Sequence, residues 1–301
     1  MKSTTHRTKT ELVEKTLAKE MFFIVGVAKS GTTWLQHLLD SHPEIVCRGE
    51  SHFIDIFHAS LVKAFEEYNN AVVKQGGVVA HLKEYGGHVD TLRYDLNDSF
   101  YLLVQAIGLM FGKWNNDPSI RLIGEKTPDN IACLSLLSSI FPSAKFIHII
   151  RDGRDSAVSG WFFNQSGLAK NKQIVQTFDE YVRGFAKAWS SQINQGCAIG
   201  AGLDDRYMEV RYENLAFTPN DEATKLLRYL DVDDSEQCIN NCLKASSFQS
   251  LTGGRRPGEE DPEAFFRKGV VGDWRNKFSD DLRDDFYNIA GDTLTRFGYE
   301  G

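Results

Sequence analysis

The chain has 301 residues, enough for one large α/β domain or two smaller ones with an ample core. Hydrophobic residues make up 42% and charged residues 25%, as in a globular protein, and the formal net charge of -7 argues against a general nucleic-acid role. A local basic pocket is still allowed. Cys47, Cys133, Cys197, Cys238 and Cys242 are scattered through long segments, an odd count without a disulfide framework, which reads as reduced intracellular thiols. Cys238 and Cys242 lie four apart on a predicted helix, but no second pair or His completes a zinc site, and no structural metal is expected. Residues 1–20 form a polar segment without the apolar core of a signal peptide, and no run reaches transmembrane length. A soluble, cytoplasmic protein without membrane or nucleic-acid partners is the expectation.

In chain order, Glu11 to Glu20 suits a short helix. Met21 to Val27 has the length and apolar content of a buried strand. The turn Ala28-Lys29-Ser30-Gly31 follows, then Thr32, Thr33 and a helical stripe of Trp34, Leu35, Leu38 and Leu39. Strand, Gly turn and helix N-terminus make an anion site, because the first helical amides lack partners and the dipole is positive there. Lys29 adds a full charge, and Ser30, Thr32 and Thr33 add hydroxyl donors. The nucleotide-hydrolase pattern instead places Lys directly after its last Gly. Here Thr32 holds that place, so an ordinary Gly turn is the competing reading.

Pro43 stops the helix, and Ile45 to Cys47 reads as a second strand leading into Gly49-Glu50-Ser51-His52-Phe53. Residues 54–116 form a predicted helical cap on the acceptor side, broken at Gly76-Gly77 and Gly86-Gly87. Ile120 to Ile123 is a short strand before Gly124-Glu125-Lys126-Thr127-Pro128. Leu134 to Ile140 is helical. Lys145 to Ile150 is a buried strand that runs into Arg151-Asp152-Gly153-Arg154-Asp155 and a helix carrying Ser156 and Ser159. A helix over residues 178–195, a strand over 207–210 ending in Arg211-Tyr212, helices over 223–230 and 235–245, a loop over 252–263 and a closing helix over 281–296 complete the chain. Alternating strands and helices predict βαβ units and a parallel sheet, whose ligands sit beyond the carboxyl ends of the strands. Four predicted strand ends carry polar clusters, at Lys29 to Thr33, Lys126, Arg151 and Tyr212.

These motifs, in this order from Val25 to about Tyr299, resemble the sulfotransferases that use 3′-phosphoadenosine 5′-phosphosulfate (PAPS) and release 3′,5′-adenosine bisphosphate (PAP). The resemblance implies a single α/β domain over 1–301, with a central parallel β-sheet flanked by helices in the P-loop-like sulfotransferase fold. It assigns Lys29-Ser30-Gly31-Thr32-Thr33-Trp34 to the 5′-phosphosulfate, and Arg151 and Ser159 to the 3′-phosphate. Tyr212 matches a residue that meets the adenine. Ser246-Ser247-Phe248 resembles the segment whose ring stacks on the base opposite Trp34. Arg267-Lys268-Gly269, with Gly272-Asp273-Trp274, is similar to the motif that closes over the 3′-phosphate. Trp34, Tyr212, Phe248 and Trp274 also suit core positions, and Arg154 and Asp155 suit helix capping.

The cytosolic branch of the family places a His two residues after a Lys. Here Lys126-Thr127-Pro128 has none, which looks more like the heparan sulfate and bacterial branches, with a Glu base shortly after the first loop. Glu50 matches that base, with His52 as its competitor, because residues two apart on a strand share a face. Lys126 would stabilise departing phosphate oxygens or orient Glu50. The expected reaction is in-line sulfuryl transfer from PAPS, without a metal, to a hydroxyl on a small molecule or glycan. Transfer to an amine is the alternative within that chemistry. An ATP-dependent kinase and a non-catalytic nucleotide-binding module are the alternatives outside it. His58, His81, Lys83 and Arg93 are candidates for a sugar or acidic acceptor. The family's dimer motif aligns with Arg275 to Asp284, where Ser279 and Asp280 replace Thr-Val, and the oligomeric state stays open.

Overall fold

The structure, a computed structural model, describes residues 6–79, 92–114, 117–166 and 176–299. Its elements in chain order are α1 (His6–Leu17), β1 (Glu20–Val25), α2 (Thr32–Asp40), β2 (Ile45–Gly49), α3 (Ala59–Val79), α4 (Leu96–Trp114), β3 (Leu122–Lys126), α5 (Leu134–Ile140), β4 (Lys145–Ile150), α6 (Gly153–Gln165), α7 (Phe178–Gly200), β5 (Tyr207–Arg211), α8 (Tyr212–Phe217), α9 (Pro219–Leu230), α10 (Glu236–Ala245), α11 (Phe248–Leu251) and α12 (Asp280–Arg296). They divide into two compact units: residues 20–50 with 117–301, and residues 1–19 with 51–116.

The first unit is α/β. Its five strands are all parallel, in the order β2-β3-β1-β4-β5. Strands covered on both faces lose the alternation of a half-exposed sheet, which is why β1 reads as an unbroken apolar run. Phe22 and Ile24 of β1, with Ile147, Ile149 and Val210, face a layer made of Leu35, Leu38 and Leu39 from α2, Leu226 and Leu230 from α9 and Ile239 from α10. The opposite layer joins Ile150 to Ala157 of α6, Trp189 and Ile193 of α7 and Phe286 and Leu294 of α12. The connection from β1 packs on one face and that from β4 on the other. The adjacent strands β1 and β4 therefore form a switch point with a crevice beyond their carboxyl ends. Thr177 and Glu180 close a capping box at α7. The Oγ of Ser279 accepts from the N–H of Leu282 at 3.2 Å and starts α12, so the residue at the lost dimer-motif position is an N-cap.

The second unit is helical. Leu103, Ile107 and Phe111 make the buried stripe of α4, at the spacing of one helical face. Phe111 lies edge to face with Phe53 at 5.7 Å, within a π-helical turn over Phe53–His58. His58 is buried, 3.0 Å from the hydroxyl of Ser99 and stacked on Phe100, which gives this acceptor candidate a structural partner. Arg93 is exposed. His81, Lys83 and Gly86-Gly87 lie outside the described residues.

Three expectations need correction. The helix α3 runs through Gly76-Gly77 to Val79. Glycine costs a helix interior only about 1 kcal/mol relative to Ala, too little to stop it alone. Secondly, β2 ends at Gly49, before Glu50, and His52 has a left-handed backbone with φ 49°. The shared-face argument for Glu50 and His52 therefore fails, since period-two alternation holds only within a strand. Strand β3 covers 122–126 rather than 120–123, because Gly124-Glu125-Lys126 continues the ladder beside β1. Among the described residues, no helix is long and apolar enough to cross a membrane.

Candidate active site

A cavity of about 410 Å³ opens beyond the carboxyl ends of the strands, a size that suits a nucleotide-scale ligand. The described residues that line it belong to the α/β unit. Lys29 and Gly31 to Trp34 follow β1, Glu50 follows β2, and Arg151 follows β4. Ser159 and Phe163 come from α6, Tyr212 from α8 and Phe248 from α11. Phe265 to Val270 close the lining.

The first loop turns on two left-handed residues. Lys29 has φ 70° and Gly31 φ 96°. A Cβ on Gly31 would meet the Tyr212 ring at 2.5 Å, so this position needs glycine for both conformation and space. The Lys29 ammonium sits between the rings of Phe163 and Phe265, 4.0 and 4.5 Å from their centroids. Burial pushes its pKa down to about 8, with Arg151 and Lys126 adding to the drop and Glu50 opposing it. Ser30 is buried, and its hydroxyl donates to the carbonyl of Val27 rather than facing the cavity. The indole N–H of Trp34 donates to the carbonyl of Ser246 at 3.0 Å, and its ring meets Tyr212 edge on at 5.3 Å. Ser246 is buried and braces Trp34 through its backbone.

At the end of β3, the buried Lys126 ammonium donates to Glu50 Oε1 at 2.6 Å and to the Thr33 hydroxyl at 3.1 Å. Three predicted residues from three segments thus share one polar cluster. The competitor His52 belongs to the helical unit, where its Nδ1 lies 2.8 Å from Asp55 Oδ2.

Arg151 lies over the Tyr212 ring, 4.2 Å from its centroid, and donates to the carbonyls of Lys29 and Val270 at 3.2 Å each. Its Nε is buried and has no partner among the described residues. Arg267 pairs with Glu260 and Asp273 and lies over Phe162, and its buried Nε also has no partner among the described residues. Lys268 donates to Asp273 at 2.6 Å. Burial favours the neutral form of Asp273, but hydrogen bonds from Lys268 and Arg267 hold its carboxyl below the usual range. Gly269, at φ 65°, lets the chain press on Phe248, whose ring a Cβ would meet at 2.4 Å. Asp155 holds this segment in place, accepting from the N–H of Gly272 at 2.6 Å and of Trp274 at 3.0 Å. Arg154 is a packing residue, paired with Asp152 and stacked 3.8 Å from the Trp274 ring.

Lys29, Gly31, Thr32, Thr33, Trp34, Glu50, Arg151, Ser159, Tyr212, Phe248, Arg267, Lys268 and Gly269 all line the cavity, and Lys126 reaches two lining residues. Ser30 and Ser246 stand behind the wall. Phe163, Phe265 and Glu260 were not singled out from the sequence. Phe163 lies one helical turn beyond Ser159, and Phe265-Phe266 immediately precede Arg267, so both were within reach of spacing arguments.

Known proteins place this arrangement. The pattern of the sulfotransferase family matches residues 22–236. The chain is 23% identical over 286 residues to protein-tyrosine sulfotransferase A of Caenorhabditis elegans, covering 92% of this chain and 67% of that one. It is 26% identical over 283 residues to protein-tyrosine sulfotransferase 1 of Danio rerio, covering 93% and 72%. Its fold is similar to that of a mouse sulfotransferase crystallised with PAP, with a TM-score of 0.60, 17% identity, and coverage of 95% of this chain and 88% of that one. With a parallel sheet, a switch-point cavity and a match over most of its length, the chain belongs to the sulfotransferase family.

Proposed function

We propose that the enzyme transfers the sulfuryl group of PAPS to a hydroxyl acceptor, with Glu50 as general base. One observation carries this reading: a single cavity gathers the Lys126–Glu50–Thr33 cluster, Lys29, and the guanidinium and ammonium groups of Arg151, Arg267 and Lys268. The donor bears a 5′-phosphosulfate and a 3′-phosphate on one nucleoside, and needs separate cationic subsites. The loop from Lys29 to Thr33 would hold the former. Arg151, Ser159, Arg267 and Lys268 would hold the latter. Trp34, Tyr212 and Phe248 supply aromatic wall for the base.

In the transfer step the acceptor oxygen forms a bond to sulfur while the bond from sulfur to the bridging phosphate oxygen breaks. The acceptor proton passes to a Glu50 oxygen, and PAP leaves with the electron pair. Lys29 neutralises charge developing on the bridging oxygen, by analogy with electrostatic catalysis of phosphoryl transfer. Lys126 holds Glu50 in place. Relatives named as protein-tyrosine sulfotransferases, whose namesake acceptor carries a phenolic hydroxyl, support a hydroxyl rather than an amine.

An acceptor screen with radiolabelled PAPS tests the reading. Label is expected on phenols, alcohols or sugar hydroxyls. Label on amines alone would overturn the hydroxyl assignment, and transfer of label only from γ-labelled ATP would overturn the donor.

A further inference from the structure

The cations assigned to the 3′-phosphate already hold carboxylates of their own chain. One terminal nitrogen of Arg267 pairs with Glu260 and the other with Asp273. The Lys268 ammonium lies 2.6 Å from Asp273 and 3.7 Å from Glu260. The two carboxylates differ in setting. The Asp273 side chain is 3% exposed and starts a helical turn, Asp273–Asn276. The Glu260 side chain is 27% exposed, on the stretch between the lining residues Pro257 and Phe265.

The backbone around Glu260 is fastened without its side chain. Arg255 donates to the carbonyls of Glu259, Phe266 and Arg267 at 3.2, 2.6 and 3.0 Å. The N–H groups of Gly258 and Asp261 donate to the backbone carbonyls of Lys268 and Arg267 at 2.8 and 2.9 Å. Glu260 can therefore rotate into solvent while the loop keeps its shape. We propose that Glu260 is a built-in counter-anion of the 3′-phosphate subsite, displaced only by a nucleotide that carries a 3′-phosphate, and so a determinant of donor selectivity. This rests on the reading of Arg267 and Lys268 given above. A phosphate monoester bears a charge of about -1.5 to -2 at pH 7 and three acceptor oxygens, against one charge on the carboxylate, and so outcompetes it. A 5′-mononucleotide without the 3′-phosphate leaves Glu260 where it is.

Calorimetric titration of the full chain with PAP and with 5′-AMP tests this, for the parent, Glu260→Gln, Glu260→Asp and Arg267→Ala. Glu260→Gln should tighten PAP by about five- to tenfold, the scale of one partly solvated charge coupling, and leave 5′-AMP within about twofold. Glu260→Asp, which keeps the charge on a shorter stem, should fall between. Equal changes for both nucleotides, or weaker PAP binding, would show a structural residue and overturn the proposal. Where Arg267→Ala selectively weakens PAP while Glu260→Gln leaves the PAP to 5′-AMP ratio unchanged, the counter-anion role alone falls. Equal weakening of both nucleotides by Arg267→Ala removes the subsite assignment itself, and the proposal with it.

Discussion

In the proposed mechanism Lys29 neutralises the charge that develops on the bridging oxygen. Removal of one preorganised donor from developing charge costs about 3–4 kcal/mol of transition-state stabilisation, and Lys29→Ala should lose that much in kcat/KM. Activity within threefold of the parent would remove the assigned role. With its pKa near 8, the charged form is lost as pH rises through that value. The kcat/KM profile should therefore fall on the alkaline side around pH 8, and Lys29→Arg should move that limb beyond the range measured. Glu50→Gln should abolish turnover and keep PAP binding, while His52→Ala stays active; the reverse pattern would transfer the base role to His52. The charged residues of the site were legible because strand ends and turn chemistry place them. For Phe163 and Phe265, spacing gave nearness to Ser159 and Arg267 but not the role, because an aromatic residue near an apolar stretch has the same local signature whether it fills a core or sheathes a lysine.

At the scale of elements, strands β1 and β4 carry the site forward, and β4 also contains a buried group outside it. His148 is fully buried, with Nδ1 at 2.6 Å from the Tyr207 hydroxyl. Burial, aided by Arg296, pushes its pKa down to about 3. The unfolded chain takes up a proton near pH 6.5, whereas the folded chain does so only near 3, so stability from this residue is lost as pH falls through that window. The unfolding free energy from urea titrations should drop with acid more steeply in the parent than in His148→Gln, by up to about 1.4 kcal/mol per pH unit. Equal slopes would contradict the account. Apolar runs bounded by polar clusters made β4 and α5 readable to the residue. Less legible were the ends of α3 and β2, where a glycine pair was tolerated and a strand stopped at Gly49, since tertiary pairing rather than local preference sets such boundaries.

At the scale of the whole molecule, the sheet order places the β1–β4 switch point beneath the cavity, and family membership follows from the chain's match over residues 22–236. Alternating strands and helices made the α/β class legible, but not the division into two compact units, because a helix-rich insertion between β2 and β3 has no composition of its own. The central claim is that the cavity is built for a 3′-phosphorylated sulfuryl donor. Titration with PAP in the presence of EDTA, set against ATP with magnesium, tests it most directly. Tight, saturable PAP binding without magnesium and weaker binding of ATP are the expected result. Preference for ATP with magnesium would contradict it.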